Sequence, residues 1–168
     1  MRHLTLITTG GTIEKTYDEQ SGSLENRRSI VDRMVRRLRL EDTSISTIEL
    51  MSKDSQLMTP EDRETIAETV EAVLRVRPAG IVILHGTDTL TLTGEHLQRK
   101  FPTPAVPIIL TGAMRPFEMR RSDALQNLTE SLMAAGILAP GVYCVTHGRA
   151  LQFPGVVKDR PRATFVKP

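Results

Sequence analysis

Two short runs of small and polar residues carry hydroxyl and carboxylate groups that could do chemistry together. The first, Thr9-Gly10-Gly11-Thr12, directly follows a short apolar run, and the second, His85-Gly86-Thr87-Asp88-Thr89, follows the most apolar run of the chain. If the two runs face each other, one oxygen could attack a carbonyl carbon, another could relay a proton, and a carboxylate could hold a substrate amine. The two runs together indicate a reaction site far more specifically than either run alone.

Each run also has a simpler interpretation. A glycine pair after a strand can hold the pyrophosphate of a dinucleotide, as in Gly-x-Gly-x-x-Gly loops. Here the third glycine is missing and a long polar loop follows, so no nucleotide cofactor is expected. A structural turn would explain Gly10 and Gly11 but not the hydroxyl groups on both sides of them. Asp88 and Thr89 could also be only the cap of the next helix, since side-chain oxygens satisfy free backbone amides there.

The elements that must position these runs follow from the alternation of short apolar runs with amphipathic segments, which predicts βαβ units. We expect an α/β fold with an open, mostly parallel sheet and helices on both faces. In the flavodoxin-like or Rossmann-like strand order 2-1-3-4-5, strands one and three are neighbours, so both runs would face one crevice. The strands are predicted at residues 4–8, 46–50, 80–84, 106–110 and 141–146, and the helices near residue 29, from residue 60, near 88–100 and near 122–135.

The loop from Lys15 to Arg28 is long for a connection between a strand and a helix. Connections of this length are often functional lids, and its position after the glycine pair predicts a hairpin-like lid over the crevice. A second short hairpin is predicted from Arg149 to Val157, with Pro154-Gly155 as its turn.

Three segments resemble the bacterial-type L-asparaginase family. Leu6 to Ile13 (LITTGGTI) and Gly80 to Leu90 (GIVILHGTDTL) are similar to its two signature motifs, and Leu110 to Pro116 (LTGAMRP) is similar to a third segment. The similarity runs from Leu4 to about Phe165. The resemblance implies an amidohydrolase that converts L-asparagine and water to L-aspartate and ammonia without a cofactor.

Carried over residue by residue, the resemblance implies a threonine nucleophile. Thr12 would attack the side-chain amide carbon and form a covalent acyl-enzyme, which water then releases as aspartate. Thr87 and Lys158 would pass protons, and Asp88 would bind the substrate α-ammonium group. Tyr17 is the only tyrosine in the loop after Thr12, so it is the expected activator of that hydroxyl.

The resemblance also implies contacts that hold the substrate. Ser55 with Gln56 would bind the α-carboxylate, and Ala113 would touch the leaving amide. Backbone amides near Thr12 and Thr87 would steady the oxyanion of the transition state, and Gly11 and Gly86 would also contact the substrate.

The chain departs from the family pattern at several positions. Glu14 stands where most members carry a small residue, so the lid is expected to leave the sheet differently. The activating tyrosine of the family lies further downstream than Tyr17, nearer Leu24. Leu57 replaces an acidic residue that commonly follows the Ser-Gln pair. His147 and Arg149, where relatives have other polar residues, could substitute for missing contacts or lie in a surface turn.

Length is the largest departure, because typical members carry a second domain that lends residues to a neighbouring active site. We expect residues 1–168 to form one asparaginase N-terminal-type catalytic domain without the family's C-terminal domain. Whether the chain is naturally short stays open. A one-domain chain needs a partner to close such a site, so a homo-oligomer, a dimer or tetramer, is expected.

Composition and charge limit the classes of partner and ligand that the chain is expected to bind. The net charge is only +2, and the arginines between residues 27 and 39 lie above apolar residues at helical spacing with no aromatic residues interleaved, which predicts a solvated helix face rather than a nucleic-acid surface. Cys144 is the only cysteine and lies in an apolar run, which predicts a buried core thiol and a reducing, cytoplasmic location. No run approaches 18 apolar residues, so no membrane span is expected. The four histidines show no metal-ligand spacing, so no metal is expected.

The sequence therefore predicts an L-asparaginase with weaker or no glutaminase activity. The preference for asparagine is modest, because one methylene is worth only about 1 to 3 kcal/mol of discrimination. Two alternatives stay open. One is an ammonia-supplying subunit of a tRNA-dependent amidotransferase, a role that shares these motifs but normally needs an extra domain. The other is a catalytically silent amino-acid sensor, which would have little reason to keep Thr12, Thr87, Asp88 and Lys158 together.

Overall fold

A six-stranded sheet forms the centre of the computed structural model, which describes all 168 residues. The strands of the chain are β1 (Arg2–Gly10), β2 (Thr16–Asp18), β3 (Ser23–Glu25), β4 (Thr43–Lys53), β5 (Gly80–Leu84), β6 (Pro107–Thr111), β7 (Gly141–Thr146), β8 (Arg149–Gln152), β9 (Val157–Asp159) and β10 (Thr164–Val166). The helices are α1 (Val31–Val35), α2 (Pro60–Arg75), α3 (Leu90–Lys100) and α4 (Ala124–Ile137).

The order of the strands in the sheet is β4-β1-β5-β6-β7-β8, and all pairs are parallel except β7 with β8. The five parallel strands therefore have the predicted order 2-1-3-4-5, with one antiparallel strand added at the edge. The predicted fold class is confirmed. Strands β1 and β5 are direct neighbours, so the loops that follow them leave the sheet side by side.

Two apolar clusters, one on each face, hold the helices against the sheet. Every residue of β5 is buried, and its side chains alternate between the clusters: Ile81 and Ile83 face α2 and α3, while Val82 and Leu84 face α1 and α4. A strand that is covered on both faces must be apolar throughout, as this one is. Helix α2 begins with the predicted cap, because the Thr59 side chain accepts from the Asp62 amide and Pro60 is its first residue.

The single cysteine is buried as the sequence predicts, whereas the arginine-rich stretch of residues 27–39 is helical only over α1. Cys144 is buried in β7, and burial raises the pKa of its thiol to about 12. In α1 and the turn after it, Val31 and Met34 are buried while Arg33 and Arg36 are exposed. No helix of the chain is long and apolar enough to cross a membrane.

The prediction of a hairpin from Arg149 to Val157 is wrong. Strand β8 pairs back onto β7 through His147-Gly148, and β9 pairs with β10 instead. His147 and Gly148 have φ values of 52° and 75°, and two positive φ angles in a two-residue loop match the twist of an antiparallel pair. This tight turn fixes β8 against β7, so Pro154-Gly155 only connects two hairpins. The predicted hairpin after Lys15 is present as β2 paired with β3.

We predict that Gly94→Ala destabilises the protein, although alanine favours a helix by about 1 kcal/mol. A Cβ at Gly94 in α3 would lie 2.1 Å from Cζ of the buried Phe153 ring, so we expect a net loss of about 1 to 3 kcal/mol in the free energy of unfolding. The matched control is Gly136→Ala in α4, whose Cβ would meet only the flexible end of the Arg2 side chain. Urea unfolding should show the control unchanged or slightly stabilised; equal behaviour of the two variants would contradict the prediction.

Candidate active site

The loops after β1 and β5 meet backbone to backbone. Gly10 and Gly11 have φ values of 95° and 82°, and a Cβ on Gly11 would lie 2.4 Å from the Gly86 amide nitrogen. Only glycine tolerates both the left-handed backbone and this approach. The Thr9 hydroxyl also donates to the Leu84 carbonyl at 2.7 Å, which ties the first loop to the end of β5. The structure thus brings together the two runs that the sequence predicts to face each other.

Thr12 begins a short 3₁₀ turn, Thr12–Glu14, at the exit of the first loop. The residue is partly buried, and its hydroxyl makes no hydrogen bond within the chain. Glu14 is buried at the base of this turn, where it accepts hydrogen bonds from the Gly10 amide at 3.1 Å and from the Ser29 hydroxyl. Burial raises the pKa of Glu14, partly offset by these hydrogen bonds. This carboxyl group joins the Thr12 loop to the segment between β3 and α1.

Lys158 lies at the centre of the polar groups on the other side of the crevice. Its Nζ donates to Thr87 Oγ1 and to Asp88 Oδ1, both at 2.8 Å. Arg160 donates to the same Asp88 oxygen at 3.1 Å, and Gln56 Nε2 donates to Asp88 Oδ2 at 2.7 Å. The hydrogen bonds from Lys158 and Gln56 lower the pKa of Asp88, so the carboxyl group is ionised at neutral pH.

Ser55 and Gln56 belong to a 3₁₀ turn, Ser55–Leu57, that packs under the second loop. A Cβ on Gly86 would lie 2.5 Å from Ser55 Oγ, so only glycine at this position leaves room for the Ser55 side chain. The Thr89 hydroxyl donates to the Ser55 carbonyl at 2.8 Å rather than capping α3. Because Asp88 is held by Lys158, a cap for α3 does not explain these two polar residues.

The third segment closes the crevice beside Thr87. Ala113 is buried, and a Cβ on the preceding Gly112 would lie 2.3 Å from the His85 carbonyl oxygen and 3.2 Å from the Thr87 methyl group. Asp123 holds this segment by accepting from the amides of Met114 and Arg115.

Several residues that complete this arrangement were missed by the sequence interpretation. Only Asn127 could have been recognised from the sequence, because it is a polar residue on the apolar face of α4. In the structure it is buried and donates to the Gly112 carbonyl at 2.9 Å. The others look like ordinary surface charges in the sequence. The missed residues are Lys15 with Asp54, which form an ion pair beside Gln56, and Asp123, Asn127 and Arg160.

Two predicted contacts are not present in this arrangement. Tyr17, the expected activator of Thr12, is 59% exposed on β2, and its hydroxyl makes no hydrogen bond to Thr12. It lines a surface depression with Glu118 and Met119 instead. The Gly11 amide donates to the Lys53 carbonyl at 2.8 Å, so it is not free for an oxyanion. Leu57, the departure after the Ser-Gln pair, is exposed and contributes no polar contact.

His85 supports the second loop from within the core. Its Nδ1 donates to the Gly86 carbonyl and its Nε2 accepts from the Thr93 hydroxyl, both at 2.8 Å. Burial lowers the pKa of the ring to about 4, so the imidazole is neutral at pH 7. No group of three or more His, Cys, Asp or Glu side chains that could hold a metal occurs in the structure.

We predict that His85 makes the protein less stable in acid. Its pKa is about 4 in the folded state against 6.5 in the unfolded state, so the unfolded chain binds more protons between these values and stability falls as the pH falls through that range. The expected loss between pH 7 and pH 4 is about 3 kcal/mol relative to His85→Gln, which does not titrate. Urea unfolding of both proteins across this range measures the difference, and parallel curves would contradict the role of His85.

Comparison with known proteins identifies relatives over nearly the whole chain. A family model described as the N-terminal part of asparaginase matches residues 3–164. L-asparaginase from Thermococcus kodakarensis is 34% identical over 140 residues, which are 83% of this chain and 42% of that protein. A glutamyl-tRNA(Gln) amidotransferase subunit from Methanococcus vannielii is 33% identical over 150 residues, which are 88% of this chain and 35% of that protein.

Solved structures agree with these matches. The thermostable L-asparaginase from Thermococcus kodakarensis superposes with a TM-score of 0.81 and 33% identity, covering 93% of this chain and 47% of that one. L-asparaginase I from Vibrio cholerae superposes with a TM-score of 0.82 and 26% identity, covering 99% and 51%. The chain thus spans between about a third and a half of the length of these relatives.

Proposed function

Because this chain belongs to the family of the asparaginase N-terminal domain, we propose that it hydrolyses L-asparagine to L-aspartate and ammonia with Thr12 as nucleophile. The observation that carries the proposal is the pair of contacts from Lys158 to Thr87 and Asp88, opposite the loop that bears Thr12. The Thr87 hydroxyl and the Asp88 carboxylate come from the loop after β5, and the lysine comes from β9, so two separate segments converge beside the Thr12 loop. The amidohydrolase class rests on the family, and the choice of asparagine is part of the proposal.

In the first step, the Thr12 oxygen attacks the side-chain amide carbon, and the carbon–nitrogen bond breaks to release ammonia. The Thr12 proton must reach the leaving nitrogen, because an amide anion is not expelled in water. Thr87 supports this transfer: its oxygen already accepts from Lys158, so its own hydrogen is free to point at a third atom. Water then attacks the acyl-enzyme, which regenerates the Thr12 hydroxyl and releases aspartate.

Charge holds the substrate in this proposal. Asp88 is ionised and accepts the α-ammonium group, while Ser55 and Gln56 lie beside it for the α-carboxylate. The oxyanion would be met by the Thr87 amide, which donates to no group of the chain, rather than by Gly11. Gly11 contributes space instead of a hydrogen bond, whereas the Gly86 amide donates to no group of the chain and stays a proposed substrate contact. Ala113 stays the proposed neighbour of the leaving amide.

Replacing the nucleophile tests the mechanism. We expect Thr12→Ala to lower kcat for ammonia release from asparagine by at least about 10³-fold. Calorimetry should still show asparagine binding, because Asp88, Ser55 and Gln56 are untouched. The matched control, Thr12→Ser, keeps the hydroxyl and should retain most of the activity. Undiminished turnover by Thr12→Ala would remove Thr12 from the mechanism.

The second candidate function follows from the amidotransferase relatives, and substrate preference distinguishes the two. For an asparaginase we expect kcat/KM for asparagine to exceed that for glutamine by about 5- to 150-fold, the value of one methylene. Ammonia release should be measured on both amides, with the molecular mass in solution recorded on the same preparation. A preference for glutamine, or release only when a tRNA-dependent partner enzyme is added, would favour the amidotransferase role.

Binding without turnover of either amide would favour the sensor alternative. The homo-oligomer stays part of the proposal: a second copy of the chain would cover the exposed side of the site at Arg160. The cytoplasmic location stays a prediction from the single buried cysteine.

A further inference from the structure

We propose that His147 is a positioning residue that holds the Gly112–Arg115 segment and the Lys158 hairpin, defined as β9 with β10, in one geometry. The ring lies between two partners: Nε2 is 2.8 Å from Asp123 Oδ2, and Nδ1 is 3.0 Å from Thr164 Oγ1. This inference rests on the proposed function, because its effect on catalysis requires that both segments serve the same reaction.

The Asp123 side of the contact controls the segment beside Thr87. Asp123 accepts from the amides of Met114 and Arg115 at 3.0 Å, and it also accepts from Asn127. Asn127 in turn donates to the Gly112 carbonyl and accepts from the His147 amide at 3.1 Å. The backbone amide of His147 therefore binds Asn127 and its ring binds Asp123, the two side chains that hold this segment.

Hydrogen bonds keep the Asp123 carboxyl group ionised in spite of its position. Burial raises its pKa, but the bonds from the Met114 amide, His147 and the Arg115 amide outweigh burial and hold the pKa below its ordinary value. A carboxylate accepts only, so Nε2 of His147 must be the donor. Loss of that donor would leave a largely buried carboxylate with fewer partners and would free it to rotate away from the two amides.

The Thr164 side of the contact controls Lys158. Thr164 is buried in β10, opposite Asp159, and the next residue of β10, Phe165, pairs with Lys158 itself. The β9–β10 hairpin is not part of the six-stranded sheet, so its placement depends on side-chain contacts such as His147 to Thr164 and Arg149 to Thr164.

The backbone at His147 is suited to this role. Its φ of 52° lies in the left-handed region, which the two-residue turn between β7 and β8 requires. The turn is anchored by the Gly148 amide, which donates to Glu130 at 2.9 Å. The ring is therefore presented from a rigid strand end and is only 25% exposed.

Two conservative substitutions test the contacts of the two ring nitrogens independently. His147→Gln places an amide near the position of Nε2, so it keeps a donor for Asp123 and loses Thr164. His147→Asn places an amide near Nδ1 and tolerates the left-handed backbone, so it keeps a partner for Thr164 and loses Asp123. We expect each variant to lower kcat for asparagine by about tenfold, since small misplacements of reacting groups are costly, while KM changes less than twofold.

The KM should change less than kcat because Ser55 and Gln56 lie outside the His147 contacts, and Gln56 continues to donate to Asp88 when Lys158 moves. The control is His96→Gln, a partly exposed histidine paired with Glu64 between α3 and α2, which should leave kcat unchanged. Equal kcat in wild type and both His147 variants, or a fall in kcat that only follows the folded fraction by circular dichroism, would overturn the proposal.

Amide hydrogen exchange tests the coupling without any turnover. The amides of Met114 and Arg115 should exchange faster in His147→Asn, and those of residues 158–165 should exchange faster in His147→Gln. If the wild type releases no ammonia, the proposed function fails while this pattern still decides the role of His147. Unchanged exchange in both segments would refute that role even in an active enzyme.

Discussion

Contact between two glycine backbones, Gly11 and Gly86, is the constraint on which the candidate site depends. Parallel pairing of β1 with β5 starts both loops at one edge, but neighbouring strands alone leave room for side chains between the loops. Here a Cβ on Gly11 would overlap the Gly86 backbone, and a Cβ on Gly86 would overlap Ser55, so the two loops touch and Thr12 and Thr87 each directly follow a glycine of this contact. The buried apolar strands hold the loops rigidly at their base, and the glycines allow the two loop backbones to come into contact.

A single carboxylate, that of Asp88, accepts hydrogen bonds from several side chains at the site. Asp88 binds Lys158, Arg160 and Gln56, and the side chain of Arg160 is 68% exposed against 15% for Lys158. An exposed ion pair contributes little, so the ammonium group of the proposed substrate would replace Arg160 at small cost while Lys158 stays hydrogen-bonded to Thr87. The arrangement therefore separates a replaceable cation from a fixed one.

Sequence periodicity predicts most of the sheet, because each parallel strand is a short apolar run followed by an amphipathic helix. It fails after Thr146, where strands of three or four residues carry too little pattern and the His147-Gly148 turn decides the pairing. The site is predicted to the extent that it lies in motif residues such as Thr87 and Asp88. Contacts made across long separations, such as Asp123 with His147, leave no local pattern, and Tyr17 is assigned only because it is the one tyrosine of its loop.

The β9–β10 hairpin is a separate small sheet, so it can open independently of the six-stranded sheet. It carries Lys158 outside the main sheet, yet Phe165 inserts into the apolar core between the sheet and helices α2 and α3. Small units attached in this way can open without unfolding the whole domain. Such an opening would withdraw the lysine and leave Thr12, Thr87 and the sheet intact. Mild denaturation would then abolish the proposed activity before the domain unfolds, because that activity requires Phe165 to stay packed in the core.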